Sequence, residues 1–456
     1  MEPTTAKWKV LSLPFFRFLI LSAIGILVFM IPVPWRGGSD LPLGIMRGMV
    51  RDLVPSANRG TVIVAFILAA SLITIINVIF KPGFIRNHPV LNSVFSADKI
   101  WGTCRILAGV FALIAYLQIG PQFLWNSTTG GMILNEVLVA MLPWFIVTGI
   151  FIPFLTAYGA MEFFGTILRP LWRPLFKLPG RSAIDCISSV MMSATVAALI
   201  TDDQYVAGQY SKREAYVIAM CFSLASYPGV VFTLDLIGMN HYFATFYFSL
   251  LAIMIACAVI MPRMWPFKKM PDTYYTGESK LVEDSSDDKN LFSHAIHLGI
   301  NAAARNARPS VYVKTSGRFL LGLVFNTLPA VMTIGAIGMI LVHYTPIFQL
   351  LSYPLYLILS WAQIPHATEA APALLIGFAF SDLPSFMMVA DGITAPLTLF
   401  VVWVVAYSQI IFMAGVGAIL MAAKMEVSLW YLVKVFLIRT AISLPLAIAL
   451  GHLFFG

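Results

Sequence analysis

Long runs of apolar residues recur along this chain, and short polar segments separate them. A helix needs about 20 apolar residues to cross the hydrocarbon core of a bilayer, so each such run predicts a membrane span. The pattern predicts nine crossings, at residues 12–33, 60–80, 101–120, 133–157, 213–237, 242–262, 318–343, 394–421 and 429–454. The first run is too long for a signal-peptide core and lacks a small-residue cleavage site after it, so we expect a retained span.

Composition agrees with an all-α polytopic membrane protein. Of 456 residues, 59% are hydrophobic and 11% are charged, and a soluble fold cannot bury so many apolar side chains. The four cysteines form no CxxC pair, so neither a disulfide framework nor a thiolate metal site is expected. Walker, GxSxG, HExxH and glycine-rich nucleotide motifs are absent from the sequence. We therefore expect no enzyme activity, no cofactor and no bound metal.

The distribution of lysine and arginine predicts the orientation in the membrane. The net charge is +8, and basic residues concentrate before the first span, between spans two and three, after span four and in the polar segment 263–316. Segment 121–131 has none. Because cytoplasmic loops are enriched in lysine and arginine, we expect a cytoplasmic N-terminus and, after nine crossings, an external C-terminus. The expected location is the bacterial inner membrane.

Segment 36–59 disagrees with this charge rule, because it carries four arginines and is assigned to the outside. Within it, Arg47 and Arg51 are four residues apart and would share one face of a helix. We expect this helix to lie on the outer surface, with Asp40 and Asp52 as partial charge compensation.

Two parts of the chain match each other in order and character. The stretches "RPLWRPLFKLPGRSAID" (169–185) and "YPLYLILSWAQIPHATEA" (353–370) are both aromatic-rich, amphipathic and bounded by prolines. Each precedes a segment too interrupted by polar residues to span a membrane, 188–203 and 375–391, and then two spans. The first amphipathic stretch is basic and the second is not, which assigns them to opposite faces. The two halves are therefore predicted to be inverted repeats, as in secondary transporters.

Each interrupted segment is predicted to be a re-entrant helical hairpin. Pro384 marks a break in the second, because proline lacks a backbone donor and clashes with the preceding turn. Pro228 and Gly229 can unwind span five in a similar way. Non-helical backbone at membrane depth is tolerated only inside protein or beside a water-filled cavity. Four hydroxyl side chains can bond the freed backbone groups or a ligand: Ser193, Thr195, Ser381 and Ser385.

Asp382 is an ionisable residue that this scheme brings to membrane depth. Such a residue costs ~2.5 kcal/mol or more on insertion scales and is by default a candidate for a functional site. The alternative is a cap on the second half of the hairpin, ahead of Pro384, and the two roles are compatible. Asp202, Asp203 and Asp391 close the two hairpins, and they are assigned either to capping or to gating and ion entry.

The motif "LFKLPGRSAID", the two hairpins and the spans after them resemble the Gate domain shared by concentrative nucleoside transporters, ferrous-iron transporter gates and spore-maturation membrane proteins. Over roughly residues 133–454, the pattern is most similar to YjiH-type Gate membrane proteins. The resemblance implies four regions: three N-terminal spans (1–131), a first Gate repeat (132–262), a cytoplasmic polar loop (263–316) and a second, inverted Gate repeat (317–456).

In concentrative nucleoside transporters, the solute lies between the hairpin tips and the spans that follow them. Carried over by position, the resemblance implies these solute-binding candidates: Ser188, Ser189, Ser193, Thr195, Ser223, Ser226, Tyr227, Ser381, Asp382, Ser385, Tyr407, Ser408 and Gln409. The candidates for ion coupling or gating are Asp202, Asp203, Asp382 and Asp391. The Gln, Thr and Glu cluster that grips ribose and base in those transporters is absent from both hairpins, so the resemblance leaves the substrate class open.

We therefore expect a secondary-active transporter of a small polar solute, either nucleoside-like or amino acid- or peptide-like, coupled to Na⁺ or H⁺ by alternating access. Two alternatives stay open. The first is a divalent-metal permease, in which Cys186 and Cys221 would line the path, and the second is a non-transporting membrane assembly factor. The expected partners are the solute, the lipid bilayer and either a second copy or another Gate-type subunit, with no nucleic acid.

Overall fold

The computed structural model describes residues 13–31, 33–35, 38–87, 95, 99–176, 178–180, 182–183, 185–186, 194–222, 227–278 and 291–456. Helices dominate these residues, as the sequence predicts. Two short strands, β1 (Val33–Trp35) and β2 (Gly38–Asp40), form an antiparallel pair between the first two helices.

The longer helices are numbered here in chain order. The first half of the chain contains α1 (Leu13–Met30), α2 (Pro42–Asp52), α3 (Arg59–Phe80), α4 (Lys99–Leu117), α5 (Val139–Thr156), α6 (Ala160–Phe176), α7 (Ala194–Val206), α8 (Lys212–Cys221), α9 (Tyr227–Leu236) and α10 (Phe243–Ile260). The second half contains α11 (Leu291–Arg305), α12 (Pro309–Gly322), α13 (Leu328–Tyr344), α14 (Tyr353–Trp361), α15 (Ala367–Ile376), α16 (Leu383–Ala390), α17 (Pro396–Gln409) and α18 (Leu429–Phe455).

Within the described residues, six helical stretches are long and apolar enough to cross a membrane. They are Ser56–Phe80, Gln122–Thr156, Asn240–Arg263, Pro309–Tyr344, Pro396–Gly417 and Leu429–Phe455. Each overlaps one of the predicted spans. Predicted spans one and three coincide with shorter apolar helices, Leu13–Phe29 and Trp101–Leu117. The chain is therefore a multi-pass helical membrane protein.

The two predicted spans that follow the interrupted segments are not continuous helices. Within 213–237, α8 ends at Cys221 and Phe222 is not helical, residues 223–226 lie outside the described residues, and α9 is described from Tyr227 onward. The span predicted at 394–421 overlaps the stretch Pro396–Gly417, which is long and apolar enough to cross a membrane, but residues 410–412 within it are not helical. Helix α17 ends at Gln409, and a π-helical turn at Met413–Gly417 follows it.

Helix α17 lies at the centre of the fold, because every residue from Leu397 to Gln409 is buried. Helix α18 packs along it, α10 contacts both, and α15 and α16 contact α17 as well. Elsewhere, α3 packs along α4, and α13 packs against α4. A single apolar cluster of buried residues joins these two groups of helices. The polar groups of α17 therefore face other protein groups rather than lipid.

Helix α2 lies in the segment whose arginines disagree with the charge rule, and it packs against α5 and α1. Leu43 is completely buried there. Arg47 forms an ion pair with Asp235 near the end of α9, and its guanidinium carbon lies 5.3 Å from the ring centroid of Trp144. A carboxylate far away in sequence therefore neutralises this arginine.

The other arginines around α2 have a local partner. Arg51 lies 3.1 Å and Arg59 3.4 Å from the same carboxylate oxygen of Asp52. The compensation predicted for Asp52 is therefore present, and it involves Arg59 as well as Arg51. One exposed carboxylate therefore contacts two arginines of this segment.

Candidate functional site

Helices α15 and α16 form a packed pair joined by a tight turn, at the position of the second predicted hairpin. Pro384 is the second residue of α16. A missing N–H breaks no helical hydrogen bond at this position, so the proline is compatible with the start of this helix. Backbone N–H groups of residues after α17 donate to two carbonyl oxygens of this turn. Phe378 O accepts from Met413 N–H (2.7 Å), and Ala379 O accepts from Ala414 N–H (2.9 Å). The backbone groups of the turn between α15 and α16 therefore pair with those of the segment that follows α17.

Asp382 occupies the N-cap position of α16, but its side chain makes no capping hydrogen bond. Its Oδ1 instead accepts from Ser381 Oγ at 3.2 Å and from Tyr407 Oη at 2.7 Å. Both donors bond the same oxygen, and among the described residues none donates to Oδ2. We call Ser381, Asp382 and Tyr407 the Asp382 cluster. The structure thus brings together three residues that the sequence singled out separately.

Tyr407 also connects α17 to α9. Its hydroxyl oxygen lies 3.5 Å from the carbonyl oxygen of Gly229, and its ring centroid lies 4.5 Å from that of Trp403. Trp403 Nε1 donates to Thr233 Oγ1 at 2.9 Å, and Thr233 lies on α9. The helix after each predicted hairpin therefore reaches the Asp382 cluster, with an aromatic wall on one side.

Two other candidates on α17 bond groups of the protein itself. Ser408 Oγ donates to Val405 O of the same helix at 2.9 Å. Gln409 Nε2 donates to Leu374 O at 3.1 Å and to Thr440 Oγ1 at 2.8 Å. Gln409 thus ties α17 to α15 and α18, and both donors are less available to a solute than the Asp382 cluster is.

Two buried polar atoms near the turn have no hydrogen-bond partner among the described residues, Ser385 Oγ and Gln409 Oε1. Leaving such a group unpaired costs about 1–3 kcal/mol, so each is a natural contact for a water, an ion or a solute. Gln409 Oε1 also lies 2.9 Å from where a Cβ on Gly377 would be, so glycine leaves the room that this oxygen occupies.

Asp202 and Asp203, adjacent on α7, have different surroundings. Asp202 accepts from the backbone N–H groups of Lys424 at 3.2 Å and Met425 at 3.1 Å, just ahead of α18. The side chain of Asp203 is exposed. Asp202 therefore links α7 to the chain ahead of α18 through two backbone hydrogen bonds.

Asp391 follows the last residue of α16, and its Oδ1 lies 3.8 Å from Nε2 of His343 near the end of α13. The pair attracts only when His343 is protonated. Asp391 is therefore held at the base of the α15–α16 pair, away from the turn that carries Asp382.

Comparisons with known proteins agree with this architecture. The Gate family, described as nucleoside recognition, matches residues 138–261. An uncharacterized protein of Alkalihalophilus pseudofirmus is 38% identical over 445 residues, which cover 96% of this chain and 94% of that protein. This chain belongs to the same family as that protein, and it carries a Gate domain. No solved structure matches it.

The Gate domain contains the first set of predicted binding residues. Most of them lie outside the described residues: Ser188, Ser189, Ser193, Ser223 and Ser226. Thr195 lies in α7, and Tyr227 is the first residue of α9, while their side chains fall outside the described part. The second set, from Ser381 to Gln409, lies beyond the part of the chain that the Gate family matches.

The motif "LPGRSAID" within the Gate domain anchors the chain ahead of α7. Tyr210 Oη donates to Asp185 Oδ2 at 2.6 Å, and both side chains are buried. Gly180 permits close packing, because a Cβ there would lie 2.4 Å from Cγ of Arg169. Sequence reasoning used this motif for the resemblance but assigned no role to Asp185.

Sequence reasoning also missed Arg439, which is fully buried in α18. Its Nε donates to Ser408 O at 2.6 Å, and its Nη1 donates to Met220 O at 2.7 Å and Cys221 O at 3.2 Å. Its Nη2 lies 3.1 Å from Met254 Sδ. A signal was present, since an arginine inside an apolar span is expensive and is by default a functional candidate.

Proposed function

We propose that this Gate-domain protein is a secondary-active transporter of a small polar solute, coupled to Na⁺ or H⁺. The solute would bind between the α15–α16 turn and the interrupted helices α9 and α17. The observation that supports this most directly is the Asp382 cluster, in which a carboxylate inside an apolar helical bundle has hydroxyl donors and no basic partner among the described residues. Such a group is retained at a cost, which favours a functional role.

The arrangement of backbone around the cluster favours transport over a static role. In this proposal α15 and α16 form a re-entrant hairpin, the predicted hairpin at 188–203 is its inverted counterpart, and the hairpin pair moves with predicted spans five and nine against the remaining helices. The hydrogen bonds from Met413 and Ala414 to the turn join hairpin and interrupted helix into one unit. Alternating access then requires this unit to shift between two positions without losing its internal bonds.

The chemistry of the cluster favours a solute rich in hydrogen-bond donors. No described residue donates to Oδ2 of Asp382, so this oxygen would accept a hydroxyl or an ammonium group of the solute, and ionised acceptors make the stronger hydrogen bonds. Trp403 and Tyr407 offer ring surface for a flat or apolar part of the solute. Both features suit a nucleoside-like solute, whose sugar carries hydroxyls, and an amino acid- or peptide-like solute, whose amine is cationic.

The test is a thermal-shift screen of the purified protein against nucleosides, amino acids, dipeptides and divalent metals, followed by uptake of each hit into proteoliposomes. A specific ligand stabilises the folded protein by mass action, by about 2.7 kcal/mol at a concentration 100 times its Kd, and the unfolding midpoint rises accordingly. We expect one organic class to stabilise the protein and Asp382→Asn to weaken that binding at least tenfold, because the charge at Oδ2 is lost.

Glu278→Gln is the matched control, because it removes an exposed carboxylate in the polar loop. It should bind the same ligand as wild type does. Wild-type affinity in Asp382→Asn would contradict the site. Stabilisation by divalent metals alone would favour the permease alternative, and background uptake of every solute would favour the assembly factor.

A further inference from the structure

Arg439 lies inside a helix of 27 residues that is long enough to cross the membrane, and none of its side chain is exposed. Burying a guanidinium group is costly unless its donors are bonded. In the described part of the chain its bonds go to carbonyl oxygens and thioether sulfurs, with no carboxylate among them. An ordinary ion pair therefore does not explain this residue.

The carbonyl groups that Arg439 binds all belong to residues at the C-terminal ends of helices. Met220 and Cys221 are the last two residues of α8, and Ser408 is next to last in α17. The last four carbonyls of a helix have no partner within it and carry partial negative charge. Two helix ends, each beside an interruption, therefore converge on one buried cation.

We propose that Arg439 is a brace that joins the C-terminal ends of α8 and α17, so that these two helix ends keep a fixed relative position. The planar guanidinium is suited to this, because its Nε and Nη1 donors bond α17 and α8 simultaneously. A lysine ammonium is a point charge on a flexible side chain, so it cannot make these two hydrogen bonds in the same fixed geometry. The neighbouring residue Tyr407 belongs to the Asp382 cluster, so the brace also positions that hydroxyl.

The positioning of Tyr407 rests on the proposed function, whereas the brace does not. The test therefore uses a reporter that needs no solute. Cys221 provides one, because its carbonyl bonds Arg439 and the residue is completely buried. In protein that keeps Cys221 as its single cysteine, the rate of alkylation by N-ethylmaleimide measures opening of this helix end.

We expect Arg439→Gln to raise the alkylation rate of Cys221 at least tenfold and Arg439→Lys to raise it about threefold, as local opening becomes easier. A second protein that keeps Cys104 alone, on α4, reports general loosening, and its rate should not change. Lys434→Gln is the matched control, since Lys434 lies on α18 but its ammonium lies 5.0 Å from the ring centroid of Trp265. It should leave Cys221 at the wild-type rate.

An unchanged Cys221 rate in folded Arg439→Gln would overturn the brace. An equal rise at Cys104, or an equal effect of Lys434→Gln, would overturn it too, because neither is local to the helix ends. Where Arg439→Gln does not fold, Arg439→Lys decides, and a wild-type rate there contradicts the proposal. Tyr407→Phe should not change Cys221 alkylation, so failure of the solute site and failure of the brace remain distinguishable.

Discussion

At the scale of single residues, some of the buried polar groups next to the Asp382 cluster are hydrogen-bonded to one another. Thr233 shows this best, because its hydroxyl accepts from Trp403 Nε1 at 2.9 Å and lies 3.1 Å from the carbonyl oxygen of Gly229. Tyr407 packs on the same indole ring. One threonine hydroxyl therefore orients the aromatic wall of the candidate site.

Thr233→Val keeps the shape of the side chain but removes its hydroxyl. The Trp403 N–H is then buried without a partner, so we expect a loss of about 1–3 kcal/mol in stability. The measurement is the thermal unfolding midpoint of purified protein in detergent. Thr233→Ser retains both hydrogen bonds and should lie closer to wild type, and a larger loss for serine than for valine would contradict this reasoning.

At the scale of elements, hydropathy located the helices but not their interruptions. Helix α3, Arg59–Phe80, matches the predicted 60–80, because a continuous apolar run leaves no alternative. No comparable sequence pattern marks the end of α17. The next residue, Ile410, is β-branched and has φ = 60°, a conformation that such residues avoid. The bonds from Met413 and Ala414 to the distant turn offset that strain, and no local pattern encodes them.

Alanine variants of the adjacent residues Asp202 and Asp203 test the contact between α7 and the chain ahead of α18. Asp202→Ala removes the acceptor for two backbone N–H groups, and we expect a loss of about 1–3 kcal/mol in stability. Asp203→Ala changes an exposed side chain and should stay within about 0.5 kcal/mol of wild type. Thermal unfolding of both variants provides the comparison. Equal losses would contradict the structural role assigned to Asp202.

At the scale of the whole molecule, contacts between distant segments show which loops share a face. Arg47 of α2 pairs with Asp235, close to Tyr242, whose ring centroid lies 5.0 Å from that of Phe455 at the end of α18. His452 Nε2 lies 2.8 Å from Ala362 O, ahead of α15. The sequence could not reveal these pairings, which join residues far apart in the chain. The sequence does predict an orientation for that face, through the excess of lysine and arginine elsewhere.

The shared face and the distribution of basic residues together predict the orientation of the protein in the membrane. The face that holds α2 and the C-terminus should be external, because the polar loop 263–316 carries the basic residues that favour the cytoplasm. Three exposed positions serve as labelling sites: Asn58, Glu278 and Gly456. Each is changed to cysteine in a Cys104→Ala background, where the remaining cysteines are buried.

In intact bacterial cells, a membrane-impermeant maleimide should label Asn58→Cys and Gly456→Cys, because both positions lie on the face assigned to the outside. Glu278→Cys should react only after the membrane is permeabilised, since its loop is assigned to the cytoplasm. The Cys104→Ala parent should not react in either condition. Labelling of Glu278→Cys in intact cells, with protection of the other two, would reverse the orientation. Opposite behaviour of Asn58→Cys and Gly456→Cys would contradict the shared face.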